Sequence, residues 1–136
     1  MAVEKWQRLL LLAMSIGLAP IALSYGSVPE KSLPWLFGID ASGVNTRQIF
    51  RAIMGLYFAF IGLWVAGALR PALRLPALWS LFVFTLGLAM GRLLSLAIDG
   101  WPHPILFAYM LAEFALAAAS AWLIAAAPNR PYVTRS

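Results

Sequence analysis

The sequence predicts an all-α membrane protein: an antiparallel bundle of four transmembrane helices, forming a single membrane domain over residues 1–136. Three observations carry this expectation. Of the 136 residues, 62% are hydrophobic and only 11% charged, with a mean hydropathy of +0.83, whereas soluble domains hold roughly 45–50% apolar and about 25% charged residues. Four apolar stretches each reach the roughly 20 residues that a spanning helix needs. Clusters of Pro, Gly, Asn and Asp separate those stretches. The same composition excludes a soluble enzyme and a disordered tail, and a chain without Cys is no disulfide-stapled scaffold.

The first stretch runs from about Leu9 to Val28 (9–28) without a charge, with Pro20 as an expected kink. Lys5 and Arg8 ahead of it, with Ala22-Leu23-Ser24 as a cleavage-like triplet, also describe a signal peptide. The run is longer than a signal core, so its retention as the first span is expected. The connection from Ser27 to Val44 includes Leu33-Pro34-Trp35-Leu36-Phe37-Gly38-Ile39 and reads either as an ordinary loop or as an apolar segment lying in the interface.

The second span, 45–69, opens near Asn45 and Thr46, which are expected N-caps, and reaches Leu69. Arg70-Pro71 and Leu75-Pro76 bracket a short turn before the third span, 76–98, interrupted only by Arg92. Asp99-Gly100-Trp101-Pro102-His103-Pro104 cannot continue a helix and makes a tight connection. The fourth span, 104–127, is interrupted only by Glu113 and is stopped by Pro128-Asn129-Arg130-Pro131.

Cations sort by side. Lys5, Arg8, Arg70, Arg74, Arg130 and Arg135 face a single acid, Glu4, at one end. The other end holds Lys31, Arg47, Arg51 and Arg92 with Glu30, Asp40 and Asp99. The positive-inside rule then places both termini in the cytoplasm. Trp6, Trp79 and Trp122, with Trp35 and Trp101 opposite, suit two interfacial belts. Topology thus accounts for the net charge of +5, and no nucleic-acid-binding motif accompanies it.

Three charges fall inside the hydrocarbon, where each costs at least ~2.5–3.5 kcal/mol. By the helical rise, Arg51 lies ~9 Å, Arg92 ~10 Å and Glu113 ~13 Å from the outer ends of their helices. They are therefore expected to meet as an Arg-Arg-Glu cluster in the outer half of the bundle, with Asp99 and His103 as a lip. Arg92, Ser95 and Asp99 share one face, as do Tyr109, Glu113, Ala117 and Ser120. Arg47, Arg51, Gly55, Ala59, Gly62 and Ala66 make a third stripe, and Ala13, Gly17, Pro20 and Ser24 a fourth. Gly55, Gly62 and the Gly87/Gly91 pair are expected to let helices approach closely, with Leu, Phe and Trp facing lipid. Ser95 and Tyr109 are expected to donate hydrogen bonds between helices. Plainer readings stand beside these: the arginines can snorkel to headgroups, and the cluster can be a purely structural clamp. Glu113 is too short to snorkel and is either paired with an arginine or protonated.

With one His and no Cys, no metal, haem or iron–sulfur site is expected, and no glycine loop or triad supports another cofactor or catalytic chemistry. Arg51-(x3)-Gly55-Leu56-Tyr57, then Gly91-Arg92-Leu93-Leu94-Ser95-(x3)-Asp99-Gly100-(x)-Pro102-(x)-Pro104, then Glu113, resemble a bacterial family of small four-helix membrane proteins classed as a domain of unknown function. The resemblance spans nearly the whole chain and implies a four-helix fold in the bacterial inner membrane; it implies no activity. Gln48 stands where that family often has an acid, which weakens a local salt bridge to Arg51.

The expected function is non-enzymatic: an accessory or structural subunit of a membrane complex, or a module binding a lipid or quinone-type headgroup through Arg51, Arg92 and Glu113. Expected partners are membrane lipids and a larger complex or a second copy, and not nucleic acid. The alternative is a proton-coupled transporter or a lipid-modifying enzyme with Glu113 as proton carrier.

Overall fold

The computed structural model describes residues 2–127; the Pro128–Pro131 stop, Arg130 and Arg135 lie outside them. Five helices follow in order: α1 (Ala2–Gly26), α2 (Pro29–Phe37), α3 (Val44–Leu69), α4 (Pro71–Asp99) and α5 (Pro104–Ala125). All but α2 are long and apolar enough to cross a membrane, so the chain is a four-span α-helical membrane protein. Successive spans run antiparallel. The Gln7 amide donates to the Leu123 carbonyl at 3.0 Å, tying the start of α1 to the end of α5.

The boundaries correct the sequence reading in four places. Helix α1 begins at Ala2, taking in Glu4, Lys5 and Arg8, and carries Pro20 in its interior. No loop spans 70–75: Arg70 alone is extended, and Pro71 already occupies the first position of α4, where its missing N–H costs nothing. Pro76 therefore lies inside α4. Gly43, not Asn45 or Thr46, caps α3, and without a side-chain hydrogen bond.

The 27–44 connection is neither a simple loop nor only an interfacial segment. Its nine-residue helix α2 starts on Pro29 and ends at Gly38, whose left-handed backbone (φ 68°) lets its N–H reach the Pro34 carbonyl. Leu33 and Phe37, one turn apart, are buried in the bundle core, while Trp35 is 83% exposed. Helix α2 thus closes one end of the bundle, touching α1, α3 and α5.

Helix α1 packs along α3, α3 along α4 and α4 along α5, but α1 and α5 touch only sparingly. The core between them is aromatic. Tyr25 meets the rings of Phe37, Phe50 and Tyr57, with centroids 5.4–5.7 Å apart. Phe84 continues the column to Tyr57, Phe60 and fully buried Trp64, whose indole N–H donates to Ser80.

This places on the outside the small-residue stripes expected to face inward on the first three spans. Ala13, Gly17, Pro20, Gly55, Ala59, Gly62, Gly87 and Gly91 are exposed on the bundle surface, and a Cβ added at any of these glycines would meet nothing within 4 Å. The close approaches are at Gly26, beside Met54, and at Gly67, beside Ala77 and Leu11. The physical reason is that hydrocarbon solvates Leu as well as a bundle interior does, so volume rather than polarity selects the inward face.

Candidate functional site

Glu113 projects inward from α5 and is one of the few buried polar residues. Seven residues before the end of α4, Arg92 reaches it, and its Nε donates to both carboxylate oxygens, at 3.1 Å to Oε1 and 3.0 Å to Oε2. The two side chains retain 22% and 12% exposure. Because Nε alone carries the carboxylate, the terminal nitrogens can serve other acceptors, of which the Tyr25 hydroxyl is one.

Tyrosines surround this pair. Tyr109, one turn before Glu113, sets its ring 5.7 Å from the Arg92 guanidinium, a cation–π contact rather than an interhelical hydrogen bond. The Tyr25 hydroxyl, delivered by the last turn of α1, lies beside the same guanidinium. The burial of Glu113, Ala117 and Ser120 matches the face expected of the fourth span.

Arg51 does not join them. Its side chain is exposed, and its Nε donates to the Gly26 carbonyl at 3.3 Å, capping the otherwise unpaired C-terminus of α1. The contact between Gly26 and Met54 brings α3 close enough for Arg51, one turn before Met54, to reach that carbonyl. Among the described residues Arg51 makes no ion pair with Glu113. The expected cluster is therefore one arginine and one glutamate, formally neutral. Ser95 donates to Asp99 at 2.8 Å on the exposed end of its own helix, and so forms a lip without bridging helices. His103 is exposed, and its Nδ1 accepts the Ile105 N–H to cap α5.

Two cavities flank Arg92. The first, of about 80 Å³, is lined from all four spanning helices, by Met14, Ile21 and Tyr25 of α1, Tyr57 of α3, Phe84 and Leu88 of α4, and Ala112 and Glu113 of α5 among others. The second, also about 80 Å³, lies between the last turns of α4 and the first turns of α5, bounded by Ser95, Pro102 and Phe107. Since a water needs roughly 10–15 Å³ of such space, each holds several waters or a headgroup of a few heavy atoms. Among the described residues no three His, Cys, Asp or Glu side chains gather as metal ligands.

Sequence reasoning missed Tyr25, Tyr57 and Thr85 as lining residues. The available signal was Tyr25 on the same face as Leu11 and Leu18, a hydroxyl at the end of an apolar run.

Searches of the curated proteins and of the solved structures found no match. A family model does match, over residues 6–124, which reaches from the first turns of α1 to the last turn of α5 and includes the Arg92–Glu113 pair. The chain therefore belongs to the family described as a domain of unknown function, DUF4345.

Proposed function

We propose that the protein is a non-enzymatic membrane module that holds the uncharged, oxygen-bearing headgroup of a lipid or quinone-type molecule beside the Arg92–Glu113 pair. The observation that carries this reading is the cavity on which the pair borders: a mostly apolar lining from four helices, into which Tyr25, Tyr57, Thr85 and Tyr109 bring a few further polar groups. With Arg51 engaged at Gly26, a bound anion would face the Glu113 carboxylate with no second guanidinium to offset it. A carbonyl or hydroxyl headgroup accepts from the terminal Arg92 N–H groups that neither Glu113 nor Tyr25 engages, and adds no charge. Both oxygens of Glu113 are held by Nε, an arrangement suited to a fixed wall rather than to a proton carrier. We orient the module with the start of α1 and Arg70 in the cytoplasm of a bacterial inner membrane, following the bias of Lys and Arg.

Mass spectrometry of lipid retained by the purified protein tests the proposal. Arg92→Ala should lower the retained neutral lipid about tenfold; an unchanged lipid profile in a folded variant contradicts the reading.

The open glycines on α3 and α4 favour a second reading, in which the module is an accessory subunit whose surface admits a neighbouring helix. Native purification that brings down a foreign subunit supports it, and a monomer or homo-oligomer alone argues against it.

A further inference from the structure

We infer that the gap between α1 and α5 is a lateral portal, through which the acyl or isoprenoid tail of the bound molecule extends from the headgroup cavity into the bilayer. The inference rests on the headgroup site proposed above and adds the ligand class and its route: a membrane-resident amphiphile with one slender tail, not a solute arriving from water.

Three observations place the portal. Helices α1 and α5 are the neighbours in the ring that touch least. Both nevertheless contribute to the wall of the first cavity, α1 through Met14, Leu18 and Ile21, α5 through Ala112 and Leu116. Ala112 is exposed on the surface yet lines the cavity, so it marks the mouth. On a helical wheel, Ala112 and Leu116 lie on one side of Glu113, while Met110, which borders the second cavity against α4, lies on the other. The mouth consequently faces α1.

The seam is fastened at both ends. Gln7 holds α5 through the Leu123 carbonyl at one end, and α2 touches α5 at the other. Between these two fastenings the seam runs past the cavity, bordered by Met14, Leu18 and Ile21 of α1 and by Ala112 and Leu116 of α5. Its rim (Met14, Ile21, Leu116) carries no polar side chain, as a passage for a hydrocarbon tail requires. The competing route, through the second cavity past Ser95 and Pro102, has the Arg92 side chain between it and the first cavity.

The test reconstitutes the protein in phosphatidylcholine vesicles containing a small fraction of monoacylglycerol with a photoactivatable diazirine in its tail. After irradiation, adducts are mapped by peptide mass spectrometry. Met14, Ile21 and Leu116 should label above Val83, an exposed α4 residue that lines neither cavity. Unlabelled monoacylglycerol should compete, and Ala112→Trp should lower the seam adducts about tenfold. Even labelling of Val83 and the seam, or seam labelling unchanged by Ala112→Trp, overturns the portal.

Arg92→Gln reports separately on the headgroup site, with Tyr25→Phe in its place if Arg92→Gln does not fold. Seam adducts lost in Ala112→Trp but intact in these variants support the portal and overturn the headgroup reading. Adducts lost in Arg92→Gln or Tyr25→Phe but intact in Ala112→Trp do the reverse.

Discussion

Arg51 and Arg92 are the same residue type at nearly the same expected depth, yet one becomes a helix cap and the other half of an ion pair. The difference is a matter of which partner lies within reach. Arg51 stands opposite the end of α1, where a carbonyl without an intrahelical partner sits at hydrogen-bond distance; Arg92 stands opposite Glu113, whose alternative is a carboxylate alone among apolar groups. Glycines divide in the same manner. A methyl added at Gly67 collides with Ala77 Cβ and comes within 3.1 Å of the Leu73 carbonyl, neither of which can swing aside. Gly67→Ala should therefore destabilise by ~1–3 kcal/mol. At Gly62 the methyl meets nothing within 4 Å, so Gly62→Ala should be neutral or stabilising by up to ~1 kcal/mol through helix propensity. Unfolding in detergent measures both, and the opposite ranking would contradict the assignment of inward and outward faces.

At the scale of elements, the four spans were legible because hydrocarbon thickness and Pro punctuation act on sequence directly. Helix α2 was not: nine residues with two prolines are too short for periodicity to separate a helix from a loop, and only its Leu33 and Phe37 contacts with the core decide. The link from α2 to α3 is set by Asp40, which accepts the Ser42 N–H at 2.9 Å and the Ser42 hydroxyl at 3.1 Å. These bonds, the backbone one first, hold the Asp40 carboxyl below its ordinary value of 3.8. Because the folded value is the lower one, the contribution of this turn is present at neutral pH and is lost as pH falls through that lowered value. An NMR titration should place the Asp40 midpoint below 3.8, and Ser42→Ala should return it only part of the way, since the backbone bond remains. A wild-type midpoint at or above 3.8 would remove this account of the turn.

Across the whole molecule, depth was readable, and rotation only on α5, where the Glu113 charge marks the inward face. A regular rise per residue registers every residue along the membrane normal, which is why sequence spacing alone puts Arg92 and Glu113 level with each other. Which side of a helix turns inward leaves almost no trace in a chain this apolar, since Trp64 and Leu81 fill the interior while Gly55 and Gly87 lie on its surface. Tyr25 and Tyr57 were hidden for the same reason, whereas Tyr109, on the face of Glu113, was expected beside the pair. What the fold assembles is one neutral ion pair on the wall of a mostly apolar cavity edged by tyrosines, in a bundle whose helices α1 and α5 touch only sparingly.

That assembly depends on Arg92 and Glu113 acting on each other rather than on solvent or headgroups separately. A double-mutant cycle measures this directly, comparing the unfolding free energies of Arg92→Leu, Glu113→Leu, the double variant and the wild type in one detergent. The structure predicts a coupling of ~1–3 kcal/mol, with the double variant less damaged than the two single losses summed. Single effects that add to within ~0.5 kcal/mol would show that the two residues do not interact.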